Sequence, residues 1–129
     1  CAPLARAWQH AVASGGGKNA GPRWSECMWA WENVQSSLAD GILDDETYDW
    51  VGVCNAMADS GGSPVVATEQ HVVSAYALAH KVTSIDVSPT GTAGLAGLLA
   101  IRGEIANDER VVVVFSGVRR HFMPLPTAQ

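Results

Sequence analysis

The run SPTGTAGLAGLLAIRGEIANDERVVVVFSGVRR, residues 88–120, joins a Gly-rich helix start to an apolar strand candidate that ends in Ser116-Gly117. Val111 to Phe115 are consecutive apolar residues, four of them β-branched. That pattern predicts a central parallel strand covered on both faces. Ligands of open α/β sheets bind beyond the carboxyl ends of the strands, so Ser116 is expected to face a crevice. Gly117, lacking Cβ, lets the backbone pass close by. Upstream, Gly91, Gly94 and Gly97 recur every three residues and predict a bare helix ridge against which other backbone can approach. Each interior glycine costs roughly 1 kcal/mol relative to Ala, which close packing must offset.

Moving outward, Leu95, Leu98, Leu99 and Ile101 make the helix after Pro89 apolar nearly all round, so burial is expected. Ile85–Val87 and Pro64–Ala67 read as two further short strands. Thr68 caps a helix running to about Lys81 with a stripe of Val72, Val73, Tyr76, Ala77 and Ala79. Trp50, Val53, Cys54 and Met57 predict another helix from about Glu46 to Asp59, with Asp44, Asp45 and Glu46 at its positive end and Ser60-Gly61-Gly62 stopping it. Leu4, Trp8, Ala11 and Val12 give an amino-terminal helix with Pro3 in its first turn. Residues 23–36 carry three tryptophans without a period and read as irregular or short helical structure on the core.

The resulting order predicts α/β architecture: three layers, a short parallel sheet flanked by helices, right-handed crossovers. A sheet of three strands leaves two edges bare, which points to part of a larger domain spanning residues 1–129. The chain also enters a helix directly from Cys1, as a sequence cut into a larger one would.

Composition narrows the function. With 129 residues, 47% hydrophobic, the chain can bury one core, and no linker-like stretch divides it. A formal charge of -5 with eight Lys and Arg argues against a nucleic-acid partner, which needs clustered cations. No apolar run reaches the roughly 18 residues of a membrane span. Three cysteines without CxxC spacing and no secretory signal predict free thiols and a cytoplasmic location. The four histidines lack i,i+4 spacing, so no metal site is expected. The five tryptophans suit a subunit contact, as in a homodimer, and core packing equally well.

Four segments together, CAPLARAW at 1–8, SLADGILDDETYDW at 37–50, SPTGTAGLAGLLA at 88–100 and VVVVFSGVRR at 111–120, carry a family likeness. The chain resembles the carboxyl-terminal portion of pyridoxal-phosphate-dependent enzymes of the tryptophan synthase β-subunit fold, closest to threonine synthase-like members. The resemblance implies a lyase of amino acid metabolism, performing elimination or replacement on an amino acid substrate with pyridoxal 5'-phosphate. It implies that Ser116, followed by Gly117, binds the pyridine nitrogen of the cofactor. A neutral hydroxyl holds no proton on that nitrogen as a carboxylate would, so the ring withdraws electrons less strongly.

Asp40 and Gly41 resemble the segment lining the substrate side of the cofactor. Ser88 stands where the family commonly has Glu before Pro, so the role of that carboxylate is lost, and Thr90 reads as a helix cap. All four, Asp40, Gly41, Ser88 and Thr90, are site-lining candidates.

The lysine that binds the cofactor covalently and the phosphate-binding loop belong to an amino-terminal half that this sequence lacks, so the isolated chain is expected to be inactive. Gly15-Gly16-Gly17-Lys18 follows a helix instead of leading from a strand into one and reads as a surface loop. Lys81 reads as a helix-end charge and Arg119-Arg120 as a solvated pair. The alternative is a noncatalytic α/β binding or interaction module derived from such an enzyme.

Overall fold

The computed structural model describes residues 2–13 and 21–118. The loop at Gly15 to Lys18, Cys1, Arg119 and Arg120 lie outside the described residues. Five α-helices order the described chain: α1 (Pro3–Ala13), α2 (Trp24–Cys27), α3 (Trp50–Ser60), α4 (Glu69–Val82) and α5 (Ala93–Ile101). Single 3-10 turns stand at Gly21–Arg23, Asp40–Ile42, Thr90–Thr92 and Arg102–Glu104.

The expected three-layer parallel sheet is not formed. Among the described residues the β pairing consists of one isolated antiparallel bridge, Val87 to Val118. A β-branched run favours extended backbone, but a strand becomes part of a sheet only when neighbours complete its ladder of hydrogen bonds. Among the described residues, neither Pro64–Ala67 nor Ile85–Val87 forms a β ladder with Val111–Phe115. Val111, Val112 and Val114 are consequently exposed rather than covered on both faces.

The chain divides into two compact units, residues 1–35 with 43–66, and residues 36–42 with 67–129. In the first, α1 places Pro3, Ala7 and Ala11 inward at four-residue intervals. The two alanines let Cys27, Met28, Trp50 and Cys54 pack close, with Leu4, Trp8, Val51 and Met57 around them. The tryptophan-rich segment has a definite task here. The Arg6 guanidinium lies 4.0 Å from the ring centre of Trp29 and 4.5 Å from that of Trp31, and donates to the Trp29 carbonyl. Cation-π contact thus fixes a segment with no helical period. Trp24 meets the fully buried Trp50 edge-on at 5.4 Å.

Helix α3 begins at Trp50, four residues later than the acidic cluster suggested, and its first turn holds no acid. Its end agrees with the sequence: Gly61 closes it with φ of 72°, a conformation glycine adopts without Cβ strain.

In the second unit, Thr68 caps α4 as expected, but the reciprocal partner is His71 in place of the usual Glu or Gln. The Thr68 Oγ1 accepts from the His71 N–H at 3.4 Å, and His71 Nδ1 accepts from the Thr68 N–H at 3.2 Å. Val72 and Ala75 of α4 pack with Ala96 of α5 and Ala39, ringed by Leu38, Ala67, Leu95 and Leu99. Ala77 of the expected stripe is exposed. Helix α5 is the larger departure. Apolar on every side, it buries only Ala96 fully, and Leu98 and Ile101 keep part of their surface.

Cys27 and Cys54 are buried free thiols. Burial pushes the Cys54 thiol pKa above its ordinary value, and nearby Cys27 adds to the rise. The folded chain therefore keeps a proton that the unfolded chain releases. Its contribution to stability is complete below the unfolded thiol pKa of about 8.5 and is lost as pH climbs through the higher folded value. In urea titrations across this alkaline range, stability is expected to fall with pH, and Cys54→Ala to flatten the slope. An unchanged slope would contradict burial as its source.

Candidate functional site

All six residues singled out from the sequence, Asp40, Gly41, Ser88, Thr90, Ser116 and Gly117, line one cleft of about 930 Å³ in the second unit. Its apolar wall comes from Ile85, Pro89, Phe115 and Val118, none of which had been picked out as site residues. Phe115 was legible as the last apolar residue before Ser116. Ile85 and Val118 carry no sequence signal beyond their hydropathy.

The cleft is built upward from α4. Near the carboxyl end of that helix, His80 Nε2 is hydrogen-bonded to the Val87 carbonyl at 3.0 Å, and its ring meets Tyr76 edge-on at 4.7 Å. Val87 is fully buried, so the chain is anchored where it enters Ser88. Ser88 then performs the capping expected of Thr90. Its Oγ accepts from the Gly91 N–H at 2.9 Å, while its own N–H donates to the Gly117 carbonyl at 3.0 Å.

Thr90 is not a cap. Its Oγ1 accepts from the Gly41 N–H at 3.1 Å and joins the Asp40–Ile42 turn to the cleft floor. A Cβ at Gly41 would lie 2.9 Å from that oxygen, so the approach requires glycine. The other end of the Ser37–Asp40 segment is held by Leu38, whose N–H donates to Glu69 Oε1 at 2.7 Å.

Gly91 governs the opposite wall. A Cβ there would fall 2.3 Å from the Gly117 oxygen and 2.8 Å from its nitrogen. Because that space is empty, the Ser116 N–H reaches the Gly91 carbonyl at 3.3 Å. Farther along α5, a Cβ on Gly94 would lie 3.5 Å from Val113 Cγ1 and from the Val114 carbonyl. At Gly91 and Gly94 the glycine ridge thus receives extended backbone, although that backbone belongs to no sheet.

Ser116 is exposed, and among the described residues its hydroxyl has no hydrogen-bond partner. Asp40 supplies the charged side chain among the described lining residues. This wall therefore offers hydroxyls and one carboxylate, a lining suited to a polar heteroaromatic edge and unsuited to a phosphate. Lys81 lies exposed in the last turn of α4 and does not line the cleft. No group of three or more metal-ligating side chains occurs among the described residues, and none of their helices is long and apolar enough to cross a membrane.

Comparison with protein-family models, with curated proteins and with solved structures finds no match.

Two alanine substitutions at glycine are expected to differ in sign. Gly91→Ala forces the Ser116-Gly117 backbone away and should cost about 1–3 kcal/mol in chemical denaturation of the second unit. Gly52→Ala, in an α3 position where an added Cβ meets nothing within 4 Å, should stabilise the first unit by about 0.5–1 kcal/mol. Equal effects would contradict the close approach at Gly91.

Proposed function

We propose that this chain forms the pyridine-nitrogen side of the cofactor site of a pyridoxal-phosphate-dependent lyase, threonine synthase-like, acting by elimination or replacement on an amino acid. The observation that carries the reading is the convergence of Ser116, Gly117, Ser88, Thr90, Asp40 and Gly41 on one cleft, with the Ser116 hydroxyl unpartnered among the described residues. The fit is to the ring edge. Ser116 gives a neutral donor and acceptor, Gly117 keeps its wall low, and Phe115 and Ile85 add apolar surface.

Bound pyridoxal phosphate supplies an electron sink for bond breaking at the amino acid's carbon atoms. The chain's own contribution is orientation. Ser116 engages the ring nitrogen without holding a proton on it, and the hydrogen bonds of Ser88 and Gly91 fix the backbone that carries Ser116. Asp40, an exposed carboxylate at the same cleft, faces whatever lies on the substrate side. The phosphate and the covalent lysine are, on this reading, held by polypeptide outside these residues, and a partner supplying them completes the enzyme.

A second reading has its own observation. No lysine lines the cleft among the described residues, which suits a binding or interaction module without chemistry of its own.

Titrating pyridoxal phosphate into the 129-residue chain, followed by amide NMR, is expected to move the Gly41, Ser116 and Gly117 resonances. Ser116→Ala should weaken binding by roughly 3- to 10-fold, the worth of one hydrogen bond. No covalent absorbance band should develop near the visible edge. A band abolished by Lys18→Ala would overturn the surface-loop reading of Gly15 to Lys18, and shifts confined to the first unit would overturn the site.

A further inference from the structure

Two hydroxyls of the cleft already accept hydrogen bonds from backbone. Ser88 Oγ accepts from the Gly91 N–H at 2.9 Å, and Thr90 Oγ1 accepts from the Gly41 N–H at 3.1 Å. Neither O–H donates to a partner among the described residues. A hydroxyl has one hydrogen to give, and accepting a bond from N–H polarises its O–H into a stronger donor. Both side chains are half-buried and line the cleft, so Ser88 and Thr90 present it with two donors.

The opposite function stands beside them. The bond from Gly41 to Thr90 sets Asp40 next to this pair, and the Asp40 carboxylate forms no hydrogen bond or ion pair among the described residues. Leu38, whose N–H donates to Glu69 Oε1 at 2.7 Å, ties the same segment to α4. Two O–H donors with a carboxylate alongside match a ligand that carries an anionic acceptor and a cation close together. A free α-amino acid is such a ligand: its carboxylate has an oxygen for each hydroxyl, and its ammonium group suits Asp40. A simple anion would meet the Asp40 charge without compensation, and a simple amine would leave both hydroxyl hydrogens unused. The cleft, at about 930 Å³, has room for an amino acid.

We propose that Ser88, Thr90 and Asp40 form a subsite for a free, unphosphorylated α-amino acid bound as its zwitterion. Ser88 and Thr90 donate to its carboxylate, and Asp40 accepts from its ammonium group. The subsite rests on the amino acid part of the proposed function and needs no pyridoxal phosphate.

Amide NMR of the whole chain, titrated with L-serine in the absence of pyridoxal phosphate, tests it. The Gly41 and Gly91 resonances are expected to move together, because their N–H groups donate to the two hydroxyls that the carboxylate engages. L-serinamide, in which an amide replaces the carboxylate, should bind about tenfold more weakly. O-phospho-L-serine, whose added charge meets Asp40, should also bind more weakly than L-serine. Asp40→Asn should weaken L-serine binding about 3- to 10-fold and leave binding of 3-hydroxypropanoate, which has no ammonium group, undiminished. An equal loss for both ligands, L-serinamide or O-phospho-L-serine binding as well as L-serine, or no movement of Gly41 and Gly91 would each overturn the subsite. If Asp40→Asn loses its helical circular dichroism, the ligand series on the wild-type chain decides alone. With pyridoxal phosphate left out, failure of the amino acid subsite and failure of the cofactor site are read in separate titrations.

Discussion

The missing Cβ of Gly91 is the constraint on which the cleft depends. Where a methyl group would collide with the Gly117 peptide, the Thr90–Thr92 turn and the Ser116-Gly117 backbone come into direct contact. Three hydrogen bonds close around that contact: Ser116 N–H to the Gly91 carbonyl, Ser88 N–H to the Gly117 carbonyl, and Gly91 N–H to Ser88 Oγ. Each is worth about 1 kcal/mol net, but their joint effect is geometric. They leave the Ser116 side chain as the polar group facing the cleft from this wall. The His80 bond to the Val87 carbonyl then ties the assembly to α4, so the site stands on a helix rather than on a free loop.

What the sequence made legible follows from how local each signal is. Thr68, Gly61 and the three- and four-residue spacing of apolar residues act within about one turn of helix, and α1, α4 and the end of α3 lie where those signals put them. The acids at Asp44 to Glu46 misplaced the start of α3 because a negative charge favours a helix start without requiring one. Ser88 and Thr90 exchanged expected tasks for a similar reason. Both hydroxyls can cap, and only the tertiary fold brings the Gly41 amide within reach of Thr90.

The sheet was not legible because strand pairing is a property of two segments, whereas the valine run advertises only one. Its β-branched side chains specify extended backbone, and the structure shows that preference in the alternating burial of Val112 to Phe115. Nothing in the run specifies a neighbour. The same mismatch appears in α5, whose all-round apolar sequence exceeds the surface that α4 covers. By contrast, the six candidate residues converge on one cleft despite the failed sheet, since close backbone approach at Gly41 and Gly91 and hydroxyl hydrogen bonds hold them together without a strand ladder.

Ser116 is the residue on which the proposed chemistry rests: a neutral, exposed hydroxyl at the cleft wall with no hydrogen-bond partner among the described residues. The most direct measurement is the ¹⁵N resonance of pyridoxal phosphate labelled at the ring nitrogen and bound to the chain. A neutral, hydrogen-bonded nitrogen in the wild type, returning toward the free value in Ser116→Ala, is the expected result. A protonated ring nitrogen, or one indifferent to Ser116→Ala, would contradict it.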